Sequence, residues 1–274
     1  MLGVVYALIN APTVGWGTAR TVGEFAGALA VLGLFIVTEL RHRNPLFPLS
    51  IHRIEGLVAA DAAQVIAQAG FYSMFFFITL YMQNVLGFSP IEAGAAYVPV
   101  TIGVGISAGV ASKLLPRTGS RPIIMAGALI GAIGVFWLSQ IPVHGTYTAD
   151  VLPGLVVMAL GLGAIFVGVQ TAANAGVPAD KAGLAAALGT ASGQLGSALG
   201  LAIFTAIATG HTQHLLNAHV NRTQALTSGF HYALVACSIF LVAASLIASR
   251  ASNSHPQMPT AEPLAEPAMV AEAA

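Results

Sequence analysis

Seven stretches of about twenty residues carry almost no charge: 18–39, 57–82, 93–115, 122–141, 152–174, 183–209 and 229–249. A hydrocarbon core about 30 Å thick needs about 20 helical residues to cross it, so each stretch is long enough to span. The connectors differ in basic content. Arg41, Arg43, Arg53, Lys113, Arg117, Arg121, Lys181 and Arg250 fall on one side, and only Arg20 and Arg222 on the other. The positive-inside rule makes the richer side cytoplasmic, which assigns loops 40–56, 113–121 and 175–182 and the tail 250–274 to the cytosol. The expected architecture is an all-α, polytopic membrane protein.

Composition supports this and excludes several alternatives. The chain is 56% hydrophobic and 7% charged, against about 25% charged for soluble domains. Its formal net charge is zero, so no basic field attracts nucleic acid. The expected surroundings are a lipid bilayer, where backbone groups must be satisfied within helices and an open sheet is excluded. Cys237 is the single cysteine, so no intramolecular disulfide forms, and it reads as a small membrane-buried residue.

The chain divides at a polar connector, 40–56, holding Arg41, His42, Arg43, Pro45, Pro48, His52 and Arg53. Before it lie an apolar stub, 1–11, too short to span, and one spanning helix, 18–39. The stub reads as the outer end of a helix whose beginning is missing, and the chain as the tail end of a larger protein. After the junction come six spans, 57–249, as in one half of a two-half transporter. Turns are marked by Gly87–Pro90, Pro116–Gly119, Pro142–Gly145 and Pro178. A longer polar loop is expected at 210–228, and 250–274 reads as a disordered tail.

Four sets of residues stand out. Gly189, Gly193, Gly196 and Gly200 share one helix face and form overlapping small-xxx-small stretches, which let another backbone approach closely. Gly127, Gly131 and Gly134, and Gly105 and Gly109, repeat that spacing. Asp61, Gln64, Gln68, Tyr72 and Phe75 fall on one stripe. An Asp facing lipid would cost about 2.5–3.5 kcal/mol on insertion scales, so the stripe faces protein or water. A polar and aromatic wall suits a cavity for a small amphipathic substrate. Asp61 equally fits an electrostatic role at its helix N-terminus. Gln170, Asn174 and Gln194 are further buried amides, open to interhelical bonding or substrate contact. His211, His214 and His219 read as solvated loop residues, with metal ligation or pH sensing as the alternative. The chain shows no nucleophile with a base, no phosphate-cradling loop and no zinc spacing, so an enzyme is not expected and neither a metal nor a cofactor is implied.

The most specific local signal is Gly109–Pro122, which is read as ending one helix, turning at Pro116 and Gly119, and restarting at Pro122 beside Lys113, Arg117 and Arg121. With Leu80–Gly94, Leu152–Leu155 running into Gly161 and Gly163, Gly176–Pro178 with Ala182–Ala185 and Gln194–Gly196, and the junction Glu39–Leu49, the chain resembles EmrB/QacA-type drug:proton antiporters. These form the fourteen-spanner branch of the major facilitator superfamily. The resemblance covers about residues 1–249.

It implies that 18–39 is the second of two extra central helices and that 57–249 is the C-terminal six-helix half. It further implies proton-coupled efflux of amphipathic compounds by alternating access, driven by a proton gradient, with a missing N-terminal half as partner and a bacterial plasma membrane as location. Gly109, Lys113, Arg117, Gly119 and Arg121 match the family's cytoplasmic gating loop in part. Ser112 and Lys113 stand where an Asp–basic pair would be, which leaves an Asp-based charge lock without its acid. A non-transporting structural or regulatory membrane module is the alternative reading.

Overall fold

The computed structural model describes residues 2–15, 17–41, 57–174, 182–251 and 253–254. The expectations for 42–56, 175–181 and the tail beyond 254 lie outside these residues. The described residues are helical throughout, apart from their turns. They form α1 (Leu2–Val14), α2 (Ala19–Arg41), α3 (Leu57–Asn84), α4 (Pro90–Ala95), α5 (Val98–Thr118), α6 (Ser120–Leu138), α7 (Leu152–Asn174), α8 (Ala182–Asn217) and α9 (Arg222–Ala248). Among these residues six helical segments, from Asp61–Asn84 to Arg222–Ala248, are long and apolar enough to cross a membrane. α2, at 23 residues, also has spanning length.

The turns follow local chemistry. Gly87 takes a left-handed φ of 76° after α3. Ser89 and Glu92 then form a reciprocal capping box, with Pro90 in the first turn of α4. Two expected turns differ. α5 runs through Pro116 to Thr118, and Gly119 alone, at φ 79°, reverses the chain before α6 starts at Ser120. Proline's φ is already helical and its missing N–H forfeits one bond near the helix end, so Pro116 need not break the helix. The segment 113–121 is therefore helix apart from Gly119, rather than a loop.

The second difference is at the other end of the bundle. The polar loop expected at 210–228 is only residues 218–221, because α8 continues to Asn217 and α9 begins at Arg222. Falling hydropathy marks the edge of the apolar layer, not the end of a helix. The polar extensions pair with each other: Thr212 Oγ1 donates to the Ala225 carbonyl at 3.3 Å and His211 Nε2 lies 3.0 Å from Ser228 Oγ. His219, at φ 62°, closes α8 through Val220 N–H to Leu215 O (3.1 Å) and His219 N–H to Leu216 O (3.0 Å). Asn221 caps α9.

Helix packing shows an internal repetition. α3 packs on α8 and α9, while α7 packs on α5 and α6; α6 and α9 also pack together. The three long helices α3, α5 and α6 are thus repeated as α7, α8 and α9, with α3 and α7 in equivalent places. α1 packs against α2 and α8. The α6–α7 contact is backbone on backbone: a Cβ on Gly134 would fall on the Met158 backbone, and one on Gly127 would sit 2.9 Å from Gly161 O. Gly105 and Gly109, by contrast, have nothing within 4 Å, so that pair packs against none of these helices. Ile102, Ile106, Val110, Phe136 and Ile239 are exposed on the outside of the bundle, as lipid-facing residues are.

Candidate functional site

α3 presents two environments, because it packs on α8 and α9 and also approaches α7. Met74, Phe77, Ile78 and Tyr81 are buried in the main core with Phe230, Leu234 and Leu241 of α9. Other α3 side chains border a cavity of about 660 Å³. Its lining comprises Gln64, Ala67, Gln68, Phe71, Tyr72 and Phe75 of α3 and Val104 of α5. α7 adds Leu162, Ile165, Phe166, Val169 and Gln170, and α8 adds Thr190, Gly193, Gln194 and Ser197.

Of the eight residues read from sequence as cavity candidates, Gln64, Gln68, Tyr72, Phe75, Gln170 and Gln194 lie on this one lining. Asp61 does not: it stands about one turn before Gln64, half-buried. Asn174 ends α7, and its side chain lies outside the described residues. The apolar α7 wall and Val104 were missed. Nothing in their spacing separates a cavity-facing Val or Ile from a lipid-facing one. Phe75 meets Tyr97 edge-on at 5.3 Å, and Tyr97 Oη donates to the Phe75 carbonyl at 3.0 Å, which fixes that end of the aromatic wall.

The glycine row of α8 divides into two parts. A Cβ on Gly196 would fall on the Val65 carbonyl, and one on Gly200 on Ala69; these two permit backbone contact between α8 and α3. Gly189 and Gly193 instead face glutamines. Gln64 Nε2 donates to the Gly189 carbonyl at 3.4 Å, while a Cβ on Gly193 would stand 3.4 Å from Gln68 Nε2. Gly193 therefore borders the cavity as well as the helix contact. Gln64 Oε1 is buried without a hydrogen-bond partner among the described residues.

The residues resembling a gating loop do not cluster in that cavity. Gly109, Lys113, Arg117 and Arg121 are exposed, and Gly119 is buried at the α5–α6 turn. At the opposite end of the bundle, two side chains hold consecutive carbonyls of the α6–α7 connection. Tyr81 Oη donates to Pro142 O at 2.6 Å, and His231 Nε2 lies 2.6 Å from Ile141 O. Asp150, in the wide helical turn Tyr147–Val151, accepts from Thr146 N–H at 2.7 Å. His211 is on α8, stacked 4.0 Å from Tyr232, so it is not a solvated loop residue. Among the described residues no three His, Cys, Asp or Glu side chains are grouped as metal ligands.

The sequence that builds this bundle has counterparts among known proteins. The family model described as Major Facilitator Superfamily matches residues 1–201. The chain belongs to the major facilitator superfamily. It is thus part of a family of multi-pass membrane transporters rather than of enzymes. The chain is similar to the puromycin resistance protein pur8 of Streptomyces alboniger, 29% identical over 252 residues, covering 90% of this chain and 50% of that protein. It is 33% identical over 208 residues to the tetracenomycin C resistance and export protein of Streptomyces glaucescens, covering 74% of this chain and 38% of that protein. It is 31% identical over 237 residues to the cephamycin export protein CmcT of Amycolatopsis lactamdurans, covering 85% of this chain and 47% of that protein. This major facilitator chain spans half or less of the length of these relatives.

Proposed function

We propose that this chain is the C-terminal part of a fourteen-spanner drug:proton antiporter that exports amphipathic compounds by alternating access. In this reading α1 is the end of a truncated helix (1–11), α2 the second extra central helix (18–39), 40–56 the cytoplasmic junction, 57–249 the transporter half and 250–274 a cytoplasmic tail. The chain supplies one wall of the substrate cavity and half of each gate. The observation that carries the proposal is the convergence of Gln64, Gln68, Tyr72, Phe75, Gln170 and Gln194 on one cavity, in a chain whose relatives are named for antibiotic resistance and export.

The chemistry suits such cargo. Aromatic rings attract flat or cationic faces, each contact contributing about 0.5–2 kcal/mol. Carboxamides donate and accept without requiring a fixed ligand charge. Coupling to inward proton movement would supply about 2.3 kcal/mol per charge per 100 mV. The test is drug resistance of bacteria expressing the complete transporter with Gln68→Ala or Tyr72→Ala at unchanged protein levels. Lowered resistance to at least one compound supports the cavity; unaltered resistance to every compound tested overturns it. The coverage of half or less of each relative favours a second reading, a non-transporting module derived from a transporter. Proton-driven dye uptake by the complete protein would exclude that reading.

A further inference from the structure

Every α-helix leaves its first N–H groups and last C=O groups without intrahelical partners. At the α5–α6 junction this need is acute, because Gly119 is the only residue between the two helices and no local side chain caps α6. The partners come from more than 130 residues away in sequence. Asn253 Nδ2 donates to the Thr118 carbonyl at 3.1 Å, and Asn253 Oδ1 accepts from Arg121 N–H at 3.1 Å. Ser254 O accepts from Ser120 N–H at 2.8 Å, and Ser254 N–H donates to Ser120 Oγ at 3.1 Å. One carboxamide thus caps the end of α5 and the start of α6 together, its N–H groups donating and its carbonyl oxygen accepting. Gly119 serves the same arrangement: its φ of 79° makes the turn, and a Cβ there would fall on the Asn253 amide.

We propose that Asn253 and Ser254, which follow α9, are a latch that fastens the α5–α6 turn. α5 packs on α7, whereas α6 packs on α9 as well as α7. The latch therefore ties the end of the α5–α7 pair that carries Lys113 and Arg117 to the end of α9. Its release frees the terminal turn of α5, beside those exposed cations, to move against α6. In place of an acid–base lock at Ser112–Lys113, this turn is held by a neutral amide from the same chain. The inference is independent of what the cavity binds.

Backbone hydrogen exchange tests it on the protein in lipid nanodiscs, with fragmentation that localises deuterium to single amides. The Ser120 and Arg121 N–H groups have no intrahelical acceptor, so their protection reports the latch alone. Asn253→Ala, or a stop codon after Ala251, is expected to speed their exchange about tenfold, the scale of losing a helix cap. Amides from Gly127 onward in α6 keep their rates. Gly119→Ala gives the same acceleration, and adding Asn253→Ala to it gives no more. Equal rates in the parent protein and Asn253→Ala overturn the latch. So does acceleration spread along all of α6, which would report general loosening of the helix.

Discussion

A single methyl group decides much at the α3–α8 contact. Gly196 and Gly200 meet the α3 backbone, so Gly200→Ala forces the helices apart; overpacking of this kind costs about 1–3 kcal/mol and outweighs the helix propensity gained from alanine. Gly189→Ala adds its Cβ 3.6 Å from Gln64 Oε1, an ordinary contact, and is expected to be neutral or to stabilise by up to about 1 kcal/mol. Thermal melting of the two variants in detergent should therefore shift in different directions or by clearly different amounts. Equal losses would contradict the division of the row. The sequence spacing showed that the four glycines share a face but not what lies opposite each. That depends on the register of α3 against α8, which the α8 sequence alone does not contain.

At the scale of elements, the spans were legible because lipid leaves little choice. A charge-free run of about twenty residues in a bilayer must bond its own backbone and becomes a helix. Helix ends were less legible. α8 and α9 continue past their apolar runs because His211, Thr212, Ser228 and the Ala225 carbonyl bond across the hairpin, and hydropathy carries no record of such pairing. The α5–α6 turn was misplaced for a related reason: Pro116 was read as a breaker, and the cap that completes the turn comes from Asn253. The α6–α7 connection yields a further expectation. Tyr81→Phe removes the donor to Pro142 O and should destabilise the protein by about 1 kcal/mol. Faster hydrogen exchange in residues 141–146, with α3 itself unchanged, would register the loosened connection; an unchanged exchange rate there would show that the bond holds nothing.

For the whole molecule, the repeated three-helix unit places α3 and α7 on either side of the cavity, with α5 and α8 completing the lining. Six of the sixteen lining residues were readable from sequence, because the amides among them are costly to face lipid and mark the stripe on which Tyr72 and Phe75 also lie. The rest include Val104, Leu162, Ile165, Val169, Phe71 and Phe166, which suit lipid and cavity equally. Alternating access requires two halves rocking about a shared site, so the purified chain in liposomes with an imposed pH gradient is expected to accumulate no dye; accumulation would refute that division of labour. The claim on which the account depends is that this lining holds amphipathic ligands. Ethidium binding to the purified protein in nanodiscs, followed by fluorescence polarisation, tests it most directly. Tyr72→Ala and Gln68→Ala should each weaken binding about fivefold, and Ile106→Ala on the outer face should leave it unchanged; equal affinity in all four proteins would contradict the account.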